Sequence, residues 1–395
     1  MTKFYKITRT IIIIICFFCV SFSCGKEHKT YDTATTIKCL NCSDKMDYQL
    51  INNIFLKTEY IQLETTTECL IREIDYIQIV DTFIFVVDDN FVYQFSKISG
   101  KFLSKIGDRG QGPSEYISVK SLFADDVKQT IIILDLAQSK MVEYDFNGNY
   151  ISSSRFGVNT NMTNTALYMK NGNVLYQNEL SPYSKYSYSI YKANANSMND
   201  LLSYGNFKLK KYSLAFSKHP MTYSKNGINC IMPYDNKIYF VNEEGDLDAK
   251  YSVEYSGKPT NMKEAQKEDP PMFITRQLMA KENHFPGYTA VFETAGKLLL
   301  NTFDNKPQAA FFYADIDSLK GKYYSYSLSP EELEPVFEIV NVSENQFIAK
   351  LNSSQLYGWK EHYKDLNKIP NQQLRIIIEN SEVDNNPCIV IYDVK

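Results

Sequence analysis

The stretch Lys101-Phe-Leu-Ser-Lys-Ile-Gly-Asp-Arg-Gly-Gln-Gly-Pro-Ser-Glu-Tyr116, followed by Thr130-Ile-Ile-Ile-Leu-Asp135 and Val142-Glu-Tyr-Asp-Phe-Asn-Gly-Asn-Tyr-Ile151, decides the fold. Short apolar runs alternate here with tight polar turns, which is the pattern of strands rather than helices. Asn147-Gly148 before Asn149-Tyr150-Ile151 is a hairpin signal, because the favoured two-residue turns need positive φ at their centre. Ser99-Gly100 before Lys101-Phe102-Leu103 repeats that signal one unit earlier. Strands are predicted at 74–80, 83–87, 91–95 and 102–106, and again at 118–123, 130–134, 141–144 and 150–156. The two units share one grammar: strand, turn, Ile/Val-rich strand ending in Asp88 or Asp135, strand, glycine turn, strand.

The hairpin glycine recurs at Gly100 and Gly148, a spacing of 48, and at Gly245, a further 97 residues on and so two units away. Self-similarity at this period marks a repeat architecture. Further strands are predicted at 166–170, 173–177, 186–192 and 201–205, then at 288–293, 297–301, 309–315 and 323–326. A last set at 336–340, 346–351 and 388–392 lacks one strand, which the orphan at 59–63 supplies. Four-stranded units of about 40–50 residues are propeller blades. The expected fold is therefore all-β: a six-bladed β-propeller of four-stranded antiparallel blades, closed by the N-terminal strand pairing with the C-terminal blade. Such pairing removes open sheet edges. Two stretches break the grammar as short helical insertions, 261–284 with a helix at 274–280 and 353–368. Residues 372–378 read as a second helix or a strand.

The N-terminus is a targeting segment. Lys3, Lys6 and Arg9 precede an apolar run at 11–20 and then Ser21-Phe-Ser-Cys24. The run is short and ends in small residues, as a cleavable signal does. Ser23 before Cys24 fits a relaxed lipobox, so residues 1–23 are expected to be removed and Cys24 to carry a thioether-linked diacylglycerol. Cleavage by the ordinary signal peptidase, with Cys24 a spectator, is the alternative. Polar residues 24–50 read as a tether, and 51–395 as the propeller. The formal charge of −4 becomes −7 without residues 1–23. A mildly acidic domain without a basic cluster excludes nucleic acid as a partner. Cys39-Leu-Asn-Cys42 is a lone CxxC, expected as a local disulfide or as free thiols, because no second ligand pair accompanies it for zinc. Cys69, Cys230 and Cys388 read as small buried hydrophobes.

The residues Tyr60-Ile-Gln-Leu-Glu-Thr-Thr66, Ile106-Gly-Asp-Arg-Gly-Gln-Gly-Pro-Ser-Glu-Tyr116, Ile132-Ile-Leu-Asp135 and Val142-Glu-Tyr-Asp-Phe-Asn-Gly148 carry a resemblance. This quarter of the chain resembles the six-bladed β-propeller lipoproteins of Gram-negative bacteria, related in shape to NHL-repeat and TolB-like propellers. The resemblance implies a lipid-anchored envelope protein and brings no catalytic residues with it.

The sharpest candidate site is 107–116. One expectation is structural: the loop sets the step from blade to blade, with Arg109 paired to an acid and Glu115 accepting backbone N–H groups. The functional expectation sets Asp108, Arg109, Gln111, Glu115 and Tyr116 around the channel mouth as ligand contacts, since a guanidinium suits carboxylates and phosphates. Gly-Gln-Gly-Pro lacks the Lys-Ser/Thr of a phosphate loop, and the chain has no Gly-x-Ser-x-Gly elbow or His-Glu-x-x-His. No cofactor, no metal and no catalytic residue are expected. The function expected is a binding or scaffold module, anchored in the outer membrane, for a glycan, a peptide or an envelope protein. The alternatives are a polymer-degrading lyase or hydrolase working in the channel, and a sensor or assembly factor for envelope transport machinery. Four scattered His weigh against the enzyme.

Overall fold

The structure, a computed structural model, describes residues 38–42, 45–46, 54–156, 165–179, 188–194, 197–204, 217–232, 235–254, 258–259, 284–285, 287–303, 309–325, 338–363 and 365–394. The signal segment, Cys24 and the helix expected at 274–280 lie outside these residues.

The described strands are β1 (Lys38–Asn41), β2 (Lys45–Met46), β3 (Phe55–Gln62), β4 (Tyr76–Val80), β5 (Phe83–Asp88), β6 (Phe91–Ser96), β7 (Phe102–Lys105), β8 (Asp108–Arg109) and β9 (Glu115–Tyr116). They continue as β10 (Val119–Asp125), β11 (Thr130–Asp135), β12 (Lys140–Asp145), β13 (Tyr150–Arg155), β14 (Thr165–Tyr168), β15 (Val174–Glu179), β16 (Tyr188–Ala193) and β17 (Met198–Tyr204). Then come β18 (Met221–Ser224), β19 (Gly227–Ile231), β20 (Lys237–Asn242), β21 (Leu247–Glu254), β22 (Lys258–Pro259), β23 (His284–Phe285), β24 (Ala290–Thr294), β25 (Lys297–Phe303), β26 (Ala309–Asp315) and β27 (Lys320–Ser325). The last three are β28 (Glu338–Ser343), β29 (Gln346–Leu351) and β30 (Cys388–Val394).

Consecutive strands pair antiparallel as four-stranded meanders, and the hairpin glycines Gly100, Gly148 and Gly245 sit at positive φ. The first strands touch in the cyclic order β4, β10, β14, β18, β24, β28 and back to β4. The arrangement is propeller-like, and a side chain stitches each step of the cycle. Gln78 donates to Ala124 O at 3.2 Å and accepts from Ala124 N at 2.9 Å. Ser121 Oγ donates to Ala166 O at 2.6 Å, Gln177 Nε2 to Ile231 O at 2.8 Å, and Thr222 Oγ1 to Val291 O at 2.6 Å. Thr294 Oγ1 donates to Ser343 O at 2.9 Å, and Asn341 Nδ2 to Ile77 O. Polar side chains between packed sheets need such partners, and here they also index one sheet against the next.

The expectation of six separate blades needs correction. Four meanders stand as separate four-stranded sheets: β4–β7, β10–β13, β14–β17, and β28-β29-β30-β3. The β18–β21 and β24–β27 meanders belong to one ten-stranded sheet, joined through β1 with β2 alongside. The expected tether is thus strand at 38–41 and 45–46. β1 runs parallel to β21, Leu40 opposite Val253, and reaches β27 at Asn41 opposite Lys320. Radially arranged sheets diverge outwards, and this segment fills the wedge between two outer strands. Leu40 and Cys42 are fully buried in the core between those meanders.

Of the two expectations for the Cys-x-x-Cys pair, free thiols hold and the disulfide does not: Cys39 and Cys42 are both free. Successive strand residues face opposite ways, so Cys39 is exposed while Cys42 lies inward, where a Cβ on Gly321 would meet its Sγ at 2.5 Å. Burial pushes the Cys42 thiol up to about 12.

β3 pairs antiparallel with β30, Tyr60 opposite Val390 and Ile61 opposite Ile389. Its other edge is covered by Gln373, whose amide accepts from Tyr60 N at 3.3 Å and donates to Tyr60 O. Gln373 sits on α2 (Gln372–Glu379), which follows α1 (Ser353–His362) in the excursion between β29 and β30. Asn371 caps α2 by accepting from Leu374 N at 3.0 Å. Leu356, Leu374 and Ile378 of the two helices are buried beside Tyr60 and Cys388. The segment 372–378 is therefore helix, and its apolar stripe buries against the sheet it protects.

Candidate functional site

The connector from β7 to β10 is a closed loop that braces itself. β8 and β9 pair in parallel, Asp108 opposite Glu115 and Arg109 opposite Tyr116. Glu115 Oε2 accepts from Gly112 N at 2.7 Å. A Cβ on Gly110 would meet that oxygen at 2.0 Å, so a side chain there would displace the Glu115 carboxylate from its place beside Gly112. Gly107 sits at φ +66° against the Tyr144 and Tyr116 rings. The two constraints account for the first two glycines of Gly-Asp-Arg-Gly-Gln-Gly, at 107 and 110.

The neighbouring sheet supplies the rest. Lys140, 6% exposed, spends its ammonium on Gly112 O at 2.9 Å and on Glu115 O. Burial lowers its proton affinity, against the pull of Asp135 and Glu115. Asp135 is fully buried at the end of β11. Its carboxylate accepts from Ile117 N (2.8 Å), Ser118 N (3.2 Å), Ala137 N (3.0 Å), Gln138 N (3.2 Å) and Gln138 Nε2 (2.7 Å). Gln138 Nε2 also reaches Gly110 O at 3.1 Å. Tyr144 donates to Ser114 O, and Tyr116 to Ile106 O at 2.6 Å. Asp88 plays the part of Asp135 one meander earlier, accepting from Arg72 N and Glu73 N, each at 3.2 Å. An Asp closing the second strand thus holds the incoming connector in both units.

The five expected ligand contacts separate. Tyr116 is fully buried and its hydroxyl is committed, and Glu115 braces the loop. Asp108, Arg109 and Gln111 are exposed. Asp108 lies 3.8 Å from Lys105, and Arg109 has no ion pair among the described residues, contrary to the acid expected for it. Nor does the loop flank the axis. It packs on β12 and β13, the third and fourth strands of their sheet, because Lys140 and Tyr144 draw it there. Between loop and sheet lies a cavity of about 300 Å³ lined by Gln111, Gly112, Pro113, Gln138, Lys140, Ser153, Ser154 and Arg155. Of the residues picked from sequence, only Gln111 lines it.

Around the axis the first strands bring aromatic side chains together. Phe123 of β10 lies 5.3 Å from Tyr168 of β14 and 5.5 Å from Tyr223 of β18, ring to ring. Tyr76 of β4 packs both on the core beside β10 and on the core shared by β14 and β18. Lys350 of β29 is buried between Glu73, just before β4, and Glu338 at the start of β28, the latter at 3.9 Å, and Lys218 also pairs with Glu338. Beside them burial, Lys218 and Lys350 push the His219 imidazole down to about 3 from 6.5. Unfolded chains take up that proton first, so the stability this neutral ring supplies is complete above pH 6.5 and falls as pH drops towards 3. The denaturation midpoint of His219→Gln is expected to change less between pH 6.5 and about 5 than that of the unaltered chain. Parallel urea curves for the two would contradict this.

Among the described residues no three His, Cys, Asp or Glu side chains are placed to hold a metal ion, and no helix is long and apolar enough to cross a membrane.

Fold and site together define an all-β, propeller-like protein whose first inter-sheet connector is a rigid polar ledge. The chain belongs to the family described as "Domain of unknown function (DUF4934)", which matches over residues 34–393. No curated protein matches its sequence. Its fold is similar to that of a Bacteroides fragilis protein designated as exported, with 19% identity and a TM-score of 0.68, covering 91% of this chain and all of that one. A member of the duf4221 family from Bacteroides vulgatus follows at 10% identity and TM-score 0.50, covering 87% and 97%. At such identities the likeness is one of fold alone.

Proposed function

We propose that this protein is a lipid-anchored envelope module that binds its ligand on the ledge beside the 107–116 connector. The observation that carries this reading is the cavity of about 300 Å³, whose lining carries the polar side chains of Gln111, Gln138, Lys140, Ser153, Ser154 and Arg155. Its loop side is held by Lys140, Glu115 and Gln138 before any ligand arrives, which lowers the ordering cost of binding. A lyase or hydrolase at the axis fits less well, because Tyr76, Phe123, Tyr168 and Tyr223 occupy the region where its acids would converge.

The propeller is six-bladed in this reading, with β1 and β2 as an added outer clasp and the β3–β30 pair as its closure. The segment 1–23 directs export, in keeping with the exported designation of the Bacteroides fragilis protein. Cys24 carries the lipid that holds the protein to the outer membrane.

A glycan array probed with the purified chain is expected to give hits that Gln111→Ala weakens several-fold without changing the melting temperature. In cells, Cys24→Ser is expected to move the protein from the membrane to the soluble fraction. An array silent against every glycan, or membrane retention of Cys24→Ser, would remove the corresponding half of the proposal.

A further inference from the structure

We infer that the ledge recognises a carboxylated sugar, a uronate unit of an acidic glycan, with Arg155 as the carboxylate's partner. The inference rests on the binding reading above and names the ligand class of the same cavity. It begins with a mismatch in the sheet. In the β12–β13 pair Lys140 stands directly opposite Arg155. Like charges in that relation destabilise a sheet, and Arg155 does lower the proton affinity of Lys140.

Lys140 is turned inward, where the loop carbonyls accept its N–H groups and the charges of Asp135 and Glu115 oppose its own. Arg155 is exposed, and among the described residues it has neither an acid nor a hydrogen-bond partner. Two of the serines of β13 are engaged instead: Ser152 Oγ donates to Glu143 Oε2 at 2.9 Å, and Ser153 Oγ lies 3.2 Å from the Tyr150 hydroxyl. A guanidinium held opposite a second cation, on the wall of a cavity, is a place for an anion. Its planar fork matches a carboxylate with two parallel hydrogen bonds.

The remaining lining sets the kind of anion. Ser153, Ser154 and the Gln111 amide offer neutral donors and acceptors spread across the cavity, which suits the hydroxyls of a sugar ring. Pro113 presents an apolar face for the ring's C–H side. A volume of about 300 Å³ lies at the small end of ligand pockets and accommodates a sugar unit rather than an extended peptide. Of the loop's two acids, Glu115 faces its braces and Asp108 lies beside Lys105, so among the described residues no carboxylate is paired with Arg155.

The test is isothermal titration of the purified chain with trigalacturonate, neutral galactotriose, a hexaglutamate peptide and inorganic phosphate. Trigalacturonate is expected to bind at least tenfold more tightly than the other three, with affinity falling as salt rises. Arg155→Ala should weaken it about tenfold or more, Arg155→Lys less, and both should melt within a few degrees of the parent because the side chain is exposed. Equal affinity for the neutral sugar, for the peptide or for phosphate would overturn the uronate assignment, as would an unchanged affinity in Arg155→Ala. Tight binding of neutral galactotriose that is lost in Gln111→Ala would leave the binding module standing and remove only the carboxylate. Binding of no sugar at all would remove both.

Discussion

Asp135→Ala is expected to lower the unfolding free energy by about 3–5 kcal/mol, the largest effect of any single substitution outside the apolar core. The carboxylate is fully buried and accepts from four backbone N–H groups and one side-chain amide. Alanine leaves those N–H groups facing a void, and each unsatisfied buried donor costs about 1–3 kcal/mol. Partial hydration of the connector reduces the sum, since Ile117 and Ser118 are half-exposed. Asp135→Asn keeps one acceptor oxygen and places a second amide donor against N–H groups, so an intermediate loss is expected. Asp126→Ala, at an exposed turn, serves as the control and should change stability by under about 0.5 kcal/mol. Urea denaturation followed by circular dichroism measures all three. If Asp135→Ala matched Asp126→Ala, the connector would owe its shape to something other than this carboxylate. A second readout links the substitution to the ledge: loosening 107–116 should weaken ligand binding even where the protein remains folded.

Removing residues 1–46 is expected to make the protein self-associate more than the full chain does. β1 and β2 cover the outer edges of β21 and β27. Without them two strands present unpaired N–H and C=O groups, the usual template for edge-to-edge pairing. Leu40 and Cys42 would also vacate a core that includes Ile231, Tyr251, Val253 and Tyr323. Deleting a buried leucine side chain alone costs about 2–5 kcal/mol, so Leu40→Ala separates the packing effect from the edge effect. Leu40→Ala should lower the melting temperature and leave association as it is in the full chain. The truncation should both lower the melting temperature and promote association, with light scattering after gel filtration reporting dimers or larger species. A truncated chain that associates no more than the full chain and melts as before would show β1 and β2 to be dispensable.

Much of the architecture was legible in short-range pattern. Gly100, Gly148 and Gly245 mark hairpins because only their lack of a Cβ makes a positive φ inexpensive. The orphan strand near 59–63 and the last strand near 388–392 are found in register with one another. Asp88 and Asp135 stood out as the ends of Ile/Val-rich strands, though their work as caps for the next connector depends on backbone brought from 15 to 18 residues away.

The errors have a common origin. Residues 38–41 and 45–46 carry no alternation and read as tether, yet they are strands paired with the outer strands of two meanders. Tyr116 looked like a ligand contact because its chemistry allows it, whereas Glu115, expected either as a brace or as a ligand contact, is a brace. Whether such side chains face outward or brace the loop depends on Lys140 and Tyr144, which sit in a different sheet. Arg155 drew no notice in the sequence, because an arginine at the end of an exposed strand is ordinary until a lysine is found opposite it.

Local spacing, then, was enough to establish strands, turns and the repeat, because turn conformation and strand alternation are properties of a few adjacent residues. Which polar groups are spent on structure and which are left for a ligand was settled only when the sheets packed. Hydrogen-bond partners and charge neighbours across sheets are set by three-dimensional proximity, which no run of adjacent residues encodes.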